Sequence, residues 1–257
     1  MEKLSAGNKK IKQLQSWQRS SKDRREAGVF IVEGVRMYGE APKGWIKDIY
    51  ITQKVLDELG EPDLPYYLVD EAVFAKISDT QTPQGVLTVL ARPEYMLDDI
   101  IGGNNGKAQL LLILENIQDP GNLGTILRVG EAAGVTGVVM SKGTVDIFNP
   151  KVVRSTMGSI FRMPFAVTDD LNDTVRKIKN AGVTTYAAHL QGSEVYTDYD
   201  YTKPTAFMIG NEGNGLSEEI TALADKRLLI PMEGSIESLN AGIATAVLIY
   251  EAHRQRF

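Results

Sequence analysis

The chain has no cysteine among its 257 residues and only two histidines, His189 and His253. The first absence excludes a disulfide framework and any thiolate metal site. The second leaves a histidine-built zinc site without enough ligands, so no metal is expected. Long apolar runs are missing as well. No window of about 18 apolar residues occurs, and the N-terminus has no apolar signal region, so neither export nor a membrane span is expected. The G-x-G-x-x-G dinucleotide fingerprint, a Gly-Lys-Ser/Thr phosphate loop and a Gly-x-Ser-x-Gly elbow are all absent, which argues against the Rossmann, P-loop and serine-hydrolase classes. What remains has the composition of a soluble cytoplasmic enzyme, 43% hydrophobic and 24% charged, long enough for one large or two ordinary domains.

Charge is unevenly spread. The chain carries a net charge of −5, yet residues 1–26 hold eight basic residues (Lys3, Lys9, Lys10, Lys12, Arg19, Lys22, Arg24, Arg25) against Glu2, Asp23 and Glu26, a local +5 that leaves about −10 for the rest. A basic arm on an acidic protein fits local contact with a polyanion. It equally fits a solvated helix face, and charge alone leaves both readings open.

Residues 28–91 read as a small α/β unit with strands at 30–32, 46–52, Tyr66–Val69 and 84–91 and helices at 35–41, 54–59 and Glu71–Ile77. The pentapeptide Gly102-Gly103-Asn104-Asn105-Gly106 then breaks the pattern and is read as the domain linker. From Gln109 the rhythm restarts. Leu110–Leu114 is a continuous apolar run, as in a strand buried on both faces of a parallel sheet. Asn122 is read as the cap of a helix over 123–133 ended by Gly134. Further strands are expected at 137–140, 185–188, Thr205–Ile209 and 227–230. Helices are expected at 151–161, opened by Asn149-Pro150, at 174–180, and after Ser238. This alternation predicts a mostly parallel sheet with helices on both faces.

Two of those strands end in polar, flexible loops, the sort an open α/β sheet uses at its ligand edge. One is Gly210-Asn211-Glu212-Gly213-Asn214-Gly215-Leu216, whose glycines let a backbone approach a ligand closely or simply form a turn. The other is Pro231-Met232, followed by Ser238-Leu239-Asn240. Arg128, among apolar neighbours in its helix, reads as a solvated surface residue or as a phosphate contact near the sheet edge. Asn122 reads as a cap before it reads as a catalyst. Arg154 with Gly158, and Ser155 with Ser159, are spaced four apart, which favours helix packing over chemistry.

Taken in order, these segments resemble the SpoU/TrmH ribose methyltransferases of the SPOUT superfamily. Asn122-Leu-Gly124-Thr-Ile-Leu-Arg128 resembles motif 1. Ile209-Gly-Asn-Glu-Gly213 with Gly215-Leu216 resembles motif 2. Ile230-Pro-Met232 with Ser238-Leu239-Asn240 resembles motif 3. Arg154-Ser155, Gly158-Ser159 and Pro164 match a further recurrent segment. One departure is Ala241-Gly242, where many relatives carry Val-Ser. The resemblance covers 109–257. Residues 28–91, with Phe30-Ile-Val-Glu-Gly34 and Gln84-Gly-Val86, resemble the ribosomal-protein-like substrate-binding domain that precedes it in relatives.

The resemblance implies a SPOUT-type α/β parallel sheet with a C-terminal trefoil knot over 109–257, preceded by a basic arm and a small α/β RNA-binding domain over 1–98. It implies S-adenosylmethionine as cofactor, bound by Gly210, Ile230, Met232 and Leu239, with 188–192 as an additional wall. It implies a homodimer with active sites near the subunit interface. The implied reaction is methyl transfer to a ribose 2′-hydroxyl of RNA, with Arg128, Asn122, Glu212, Ser238 and Asn240 as the catalytic constellation and Glu212 as a partner for Arg128. Ribosomal RNA, 23S in particular, is favoured over transfer RNA. Two readings of other classes stay open: a non-catalytic RNA-binding protein on the same fold, and a Rossmann-type nucleotide enzyme.

Overall fold

The computed structural model describes residues 2–102, 108–190 and 194–257. Most of the expected linker, residues 103–106, and Gln191 and Gly192 of the expected cofactor wall lie outside the described residues. The chain runs through β1 (Glu2–Leu4), α1 (Lys9–Arg19), α2 (Ser21–Ala27), β2 (Val29–Glu33), α3 (Val35–Glu40), β3 (Ile46–Ile51), α4 (Gln53–Leu59), β4 (Tyr66–Val69), α5 (Glu71–Ile77) and β5 (Val86–Ala91). It continues through α6 (Leu97–Gly102), β6 (Leu110–Leu114), α7 (Pro120–Ala133), β7 (Gly137–Ser141), α8 (Pro150–Thr156), β8 (Phe165–Thr168), α9 (Leu171–Asn180), β9 (Thr184–Ala188), β10 (Glu194–Val195), β11 (Thr205–Ile209), α10 (Glu218–Leu223), β12 (Lys226–Leu229) and α11 (Ala241–Arg256).

Two compact units result. The first joins residues 1–93 with 146–161; the second joins 94–145 with 162–257. The segment 146–161 therefore clusters with the N-terminal region, although in chain order it falls inside the second half.

The first unit is a five-stranded mixed sheet in the order β1-β4-β3-β5-β2. Residues 2–26 are part of it. β1 pairs in parallel with β4, and α1 lays Ile11 and Leu14 onto a core with Val29, Tyr50, Phe74 and Leu87. Asn8 caps α1 by accepting from the Lys10 amide at 2.9 Å. Arg24 is buried and ion-paired to Asp146 at 2.5 Å. A side chain counted in the basic arm is thus an internal strut.

The second unit is a seven-stranded sheet in the order β10-β12-β9-β11-β6-β7-β8, and every pairing in it is parallel. Leu110–Leu114 and Thr205–Ile209 sit side by side at its centre, and both are buried along their whole length. That explains why both read as unbroken apolar runs. Helix α11 packs on α7.

Two expectations are corrected. Helix α7 starts at Pro120, and its cap is Asp119, whose carboxylate accepts from the Asn122 amide at 2.9 Å. Asp-Pro supplies cap and first-turn residue together, so Asn122 lies inside the helix with its side chain free for other work. Helix α8 stops at Thr156 because Met157 turns left-handed (φ 52°). Arg154/Gly158 and Ser155/Ser159 therefore do not share a helical face. The exposed Ser155 hydroxyl donates to the Lys151 carbonyl, while the buried Ser159 hydroxyl donates to that of Thr156.

Candidate active site

A pocket of about 300 Å³ opens in the second unit at the C-terminal ends of the neighbouring strands β9, β11 and β12. Its position is the one that parallel α/β sheets reserve for ligands, and its size is at the lower end for small-molecule sites. Gly210, Ile230, Met232, Leu239, Glu212 and Ser238 all line it, as does His189 in the β9 segment. Leu228, Leu229 and Ile230 give it an apolar side.

The β11 loop closes on itself. The Asn211 amide donates to the Gly215 carbonyl at 3.0 Å, and the Gly215 amide returns the bond at 2.8 Å. The Asn211 side-chain oxygen accepts from the amides of Gly213 and Asn214. This crossing demands glycine at 210: a Cβ there would fall 2.0 Å from the Gly215 carbonyl carbon. Gly210 is thus required by the loop's own backbone. The far end of the loop is held by the buried Glu115, whose carboxylate accepts from the Ser217 amide and hydroxyl, both at 2.7 Å.

Glu212 projects from this loop to the start of α7. It accepts from the backbone amides of Gln118 and Asp119, each at 3.0 Å, and from the Asn122 side-chain amide at 2.9 Å. Asn122 in turn accepts from the side-chain amide of Asn240 at 2.8 Å. The Asn240 oxygen then caps α11, accepting from Gly242 and Ile243. The carboxylate can only accept, so Asn122 must present its NH₂ to Glu212 and its oxygen to Asn240. Burial acts to raise the Glu212 carboxyl, but these hydrogen bonds outweigh it and hold the group below its ordinary range.

Arg128 is not part of this relay. It is exposed, and among the described residues it has no ion pair or hydrogen bond. Six residues on from Asn122, it lies about 240° round the helix and about 9 Å along it. The expected Glu212–Arg128 pair is therefore replaced by the contacts of Glu212 with Gln118, Asp119 and Asn122. Gln118 and Asp119 were not singled out from the sequence. Their signal was local: the Asp-Pro start of α7, beside Asn116, which takes a left-handed φ of 55°.

Residues 109–250 match the model of the SpoU rRNA Methylase family, and 8–88 match an MRM3-like substrate binding domain. The chain is 34% identical over 252 residues to the 23S rRNA (guanosine(2553)-2'-O)-methyltransferase RlmP of Bacillus subtilis, with 96% of each chain covered. The crystal structure of an AdoMet-bound rRNA methyltransferase from Sinorhizobium meliloti superposes with a TM-score of 0.88 at 31% identity, covering 100% of this chain and 98% of that one. That of the SpoU methyltransferase AviRb from Streptomyces viridochromogenes gives 0.85 at 30% identity, covering 97% and 98%. An arrangement in which Glu212, Asn122 and Asn240 meet beside a strand-end pocket, and a match over more than half its length, agree on one conclusion: the chain belongs to the SpoU rRNA methylase family.

Proposed function

We propose that this protein transfers a methyl group from S-adenosylmethionine to a ribose 2′-hydroxyl of RNA, with 23S ribosomal RNA as the substrate. The observation that carries this is the Asn240–Asn122–Glu212 relay, which joins the three motif segments at the edge of the pocket. Relatives named for methylation of 23S rRNA, matched over nearly the whole chain, support the substrate class.

The pocket residues fit the cofactor. Leu228, Ile230 and Leu239 offer apolar walls to a flat purine, with Gly210 and Met232 beside them, and the low-range Glu212 carboxylate complements a positive sulfonium. When bound, the cofactor would supply an electrophilic methyl group for in-line displacement by the 2′-hydroxyl oxygen, with the thioether S-adenosylhomocysteine as leaving group and the hydroxyl proton passing to solvent water. The chain's task is to aim the hydroxyl and exclude other nucleophiles. Ser238, at the pocket wall, hydrogen-bonds the incoming ribose, and Asn240 orients Asn122 beside it. Glu212, held below the usual carboxylate range, is a weak base and serves to orient its neighbours. Arg128 takes a phosphate beside the target ribose through its planar fork of N–H donors, which has no acceptor to serve as a base.

The working form is a homodimer. Ile243 and Tyr250 stand 51% and 47% exposed on α11, one heptad apart, and Ile236 and Leu239 are exposed just before it. Arg128, without a partner among the described residues and turned from its own Asn122, then serves the site of the second copy. The C-terminal segment forms the family's trefoil knot, and the protein works in the cytoplasm. RNA contact belongs to the region 1–98 and cofactor contact to 109–257.

The test is methyl transfer from isotopically labelled S-adenosylmethionine to 23S rRNA taken from cells lacking the gene. Label should appear at an alkali-resistant ribose linkage. Label on a base would overturn the assignment, and label on tRNA in place of rRNA would shift it to the transfer-RNA alternative.

A further inference from the structure

The eight basic side chains of residues 1–26 do not form one class. Lys3 pairs with Asp70 at 2.9 Å, Lys10 lies 3.8 Å from Asp48 and over the Tyr67 ring, Lys22 reaches Glu26 at 3.8 Å, and Arg24 is buried against Asp146. Lys9, Lys12, Arg19 and Arg25 are left exposed, with no ion pair or hydrogen bond among the described residues.

Three of these four share a face. At 100° per residue, Lys9, Lys12 and Arg19 fall within about 80° on α1, opposite the buried Ile11 and Leu14, and run about 15 Å along the axis. Arg25 extends the series onto α2. Nearby acids are already engaged. Asp23 accepts from the hydroxyl of Ser16 and donates its amide to Ser20, the cap of α2, while Asp48 and Asp70 hold Lys10 and Lys3.

The placement also works against the helix itself. Lys9, Lys10 and Lys12 crowd the first turn of α1, where the macrodipole is positive, and α1 contains no acidic residue. A cation there is disfavoured by the helix's own dipole. An ordinary solvated face mixes signs and puts its lysines at the other end. This one does neither, in a unit with sixteen basic against fourteen acidic residues, while the other unit has twelve against nineteen. The cost is offset only when an external anion arrives.

The structure assigns Lys9, Lys12, Arg19 and Arg25 as a phosphate-backbone docking track for the RNA substrate, an inference that rests on the reading of the protein as an RNA methyltransferase. The track reads charge and spacing, not sequence. It sets affinity and salt dependence and leaves the methyl-transfer step alone.

The test is a salt titration of full-length protein against a mixed-sequence RNA oligonucleotide, comparing the parent with the quadruple variant Lys9→Gln, Lys12→Gln, Arg19→Gln, Arg25→Gln and with a control, Lys3→Gln, Lys22→Gln. The quadruple variant should lose about 100-fold in affinity at 0.1 M salt, and its log-log slope should flatten by about three. Its melting temperature should stay near the parent's, because two cations unfavourable in a first turn and two favourable in a last turn are removed together. The control should shift far less. Under saturating RNA the quadruple variant should turn over like the parent. An unchanged slope, or an equal loss in the control, overturns the track. If the parent itself binds no RNA, the methyltransferase reading fails first.

Discussion

The Asn240 side-chain amide donates to the Asn122 side-chain oxygen at 2.8 Å across 118 residues of chain. It joins the cap of the last helix to the first turns of α7. Asn240 therefore has two separable duties, capping through its oxygen and orienting Asn122 through its NH₂. Asn240→Asp keeps the cap, since Asp is as good a capping residue, but loses the donor. Its melting temperature should stay near the parent's while methyl transfer falls by about two orders of magnitude. Asn240→Ala should lose the same activity and about 1 kcal/mol of stability. Parallel thermal melts and single-turnover rates check this, and an active Asn240→Asp would remove the relay from the mechanism.

Glu212 predicts a pH signature. Against the opposing effect of burial, its folded carboxyl is held below the ordinary glutamate value by hydrogen bonds from Asn122, Gln118 and Asp119. The stability it contributes is therefore fully present above the unfolded pKa and is lost as pH falls through the folded one. The melting-temperature gap between the parent and Glu212→Gln should be constant from about pH 6 to 8 and should close as pH falls from about 5 towards 3. A gap that instead widens in acid would show the carboxyl to be raised, not lowered.

Arg128→Ala should barely change stability, by at most about 0.5 kcal/mol, because the side chain is exposed and has no partner among the described residues. Methyl transfer should fall by about 100-fold or more. Arg128→Lys should restore little, since a point charge lacks the planar fork. If Arg128 serves the second copy's site, an equimolar mixture of Arg128→Ala and Glu212→Gln chains, allowed to exchange subunits, should recover about a quarter of parental activity by forming mixed dimers with one intact site. No recovery would place Arg128 in its own chain's site.

The loop glycines should separate sharply. A Cβ at Gly210 would meet the Gly215 backbone at 2.0 Å, whereas one at Gly213 would come only within 3.5 Å of the Asn211 side-chain oxygen. Gly210→Ala should abolish S-adenosylmethionine binding in calorimetry by displacing the loop, and Gly213→Ala should bind within a few-fold of the parent. Equal affinities would mean the loop is no part of the cofactor site.

Ile243→Asp with Tyr250→Asp should yield monomers in sedimentation velocity at micromolar concentration, because each puts a charge on the exposed apolar face of α11. A double variant that still sediments as a dimer would move the interface elsewhere.

Much of the chain after Gln109 was legible because its signals are local. Leu110–Leu114 and Thr205–Ile209 announce themselves as unbroken apolar runs, and Asn149-Pro150 marks a helix start by cap chemistry alone. The ends of elements were less legible. Met157 turning left-handed, and Asp119 taking the cap that Asn122 could equally fill, are choices between locally similar options settled by packing.

By itself the sequence determined the class of fold, most of the central strands of the second sheet, and the family, because turn chemistry, apolar runs and motif spacing are written in consecutive residues; short elements such as β1, β8, β10 and α10 carry no such signal. Only the tertiary structure decided which residues meet. It put β11 between β6 and β9, which brings Glu212 to Asn122 across 90 residues and Asn240 to Asn122 across 118. It also sorted the basic residues of the first 26 into buried strut, paired and unpaired. Contacts of that range follow from sheet order and burial, which depend on the whole chain packing at once and leave no trace in local spacing.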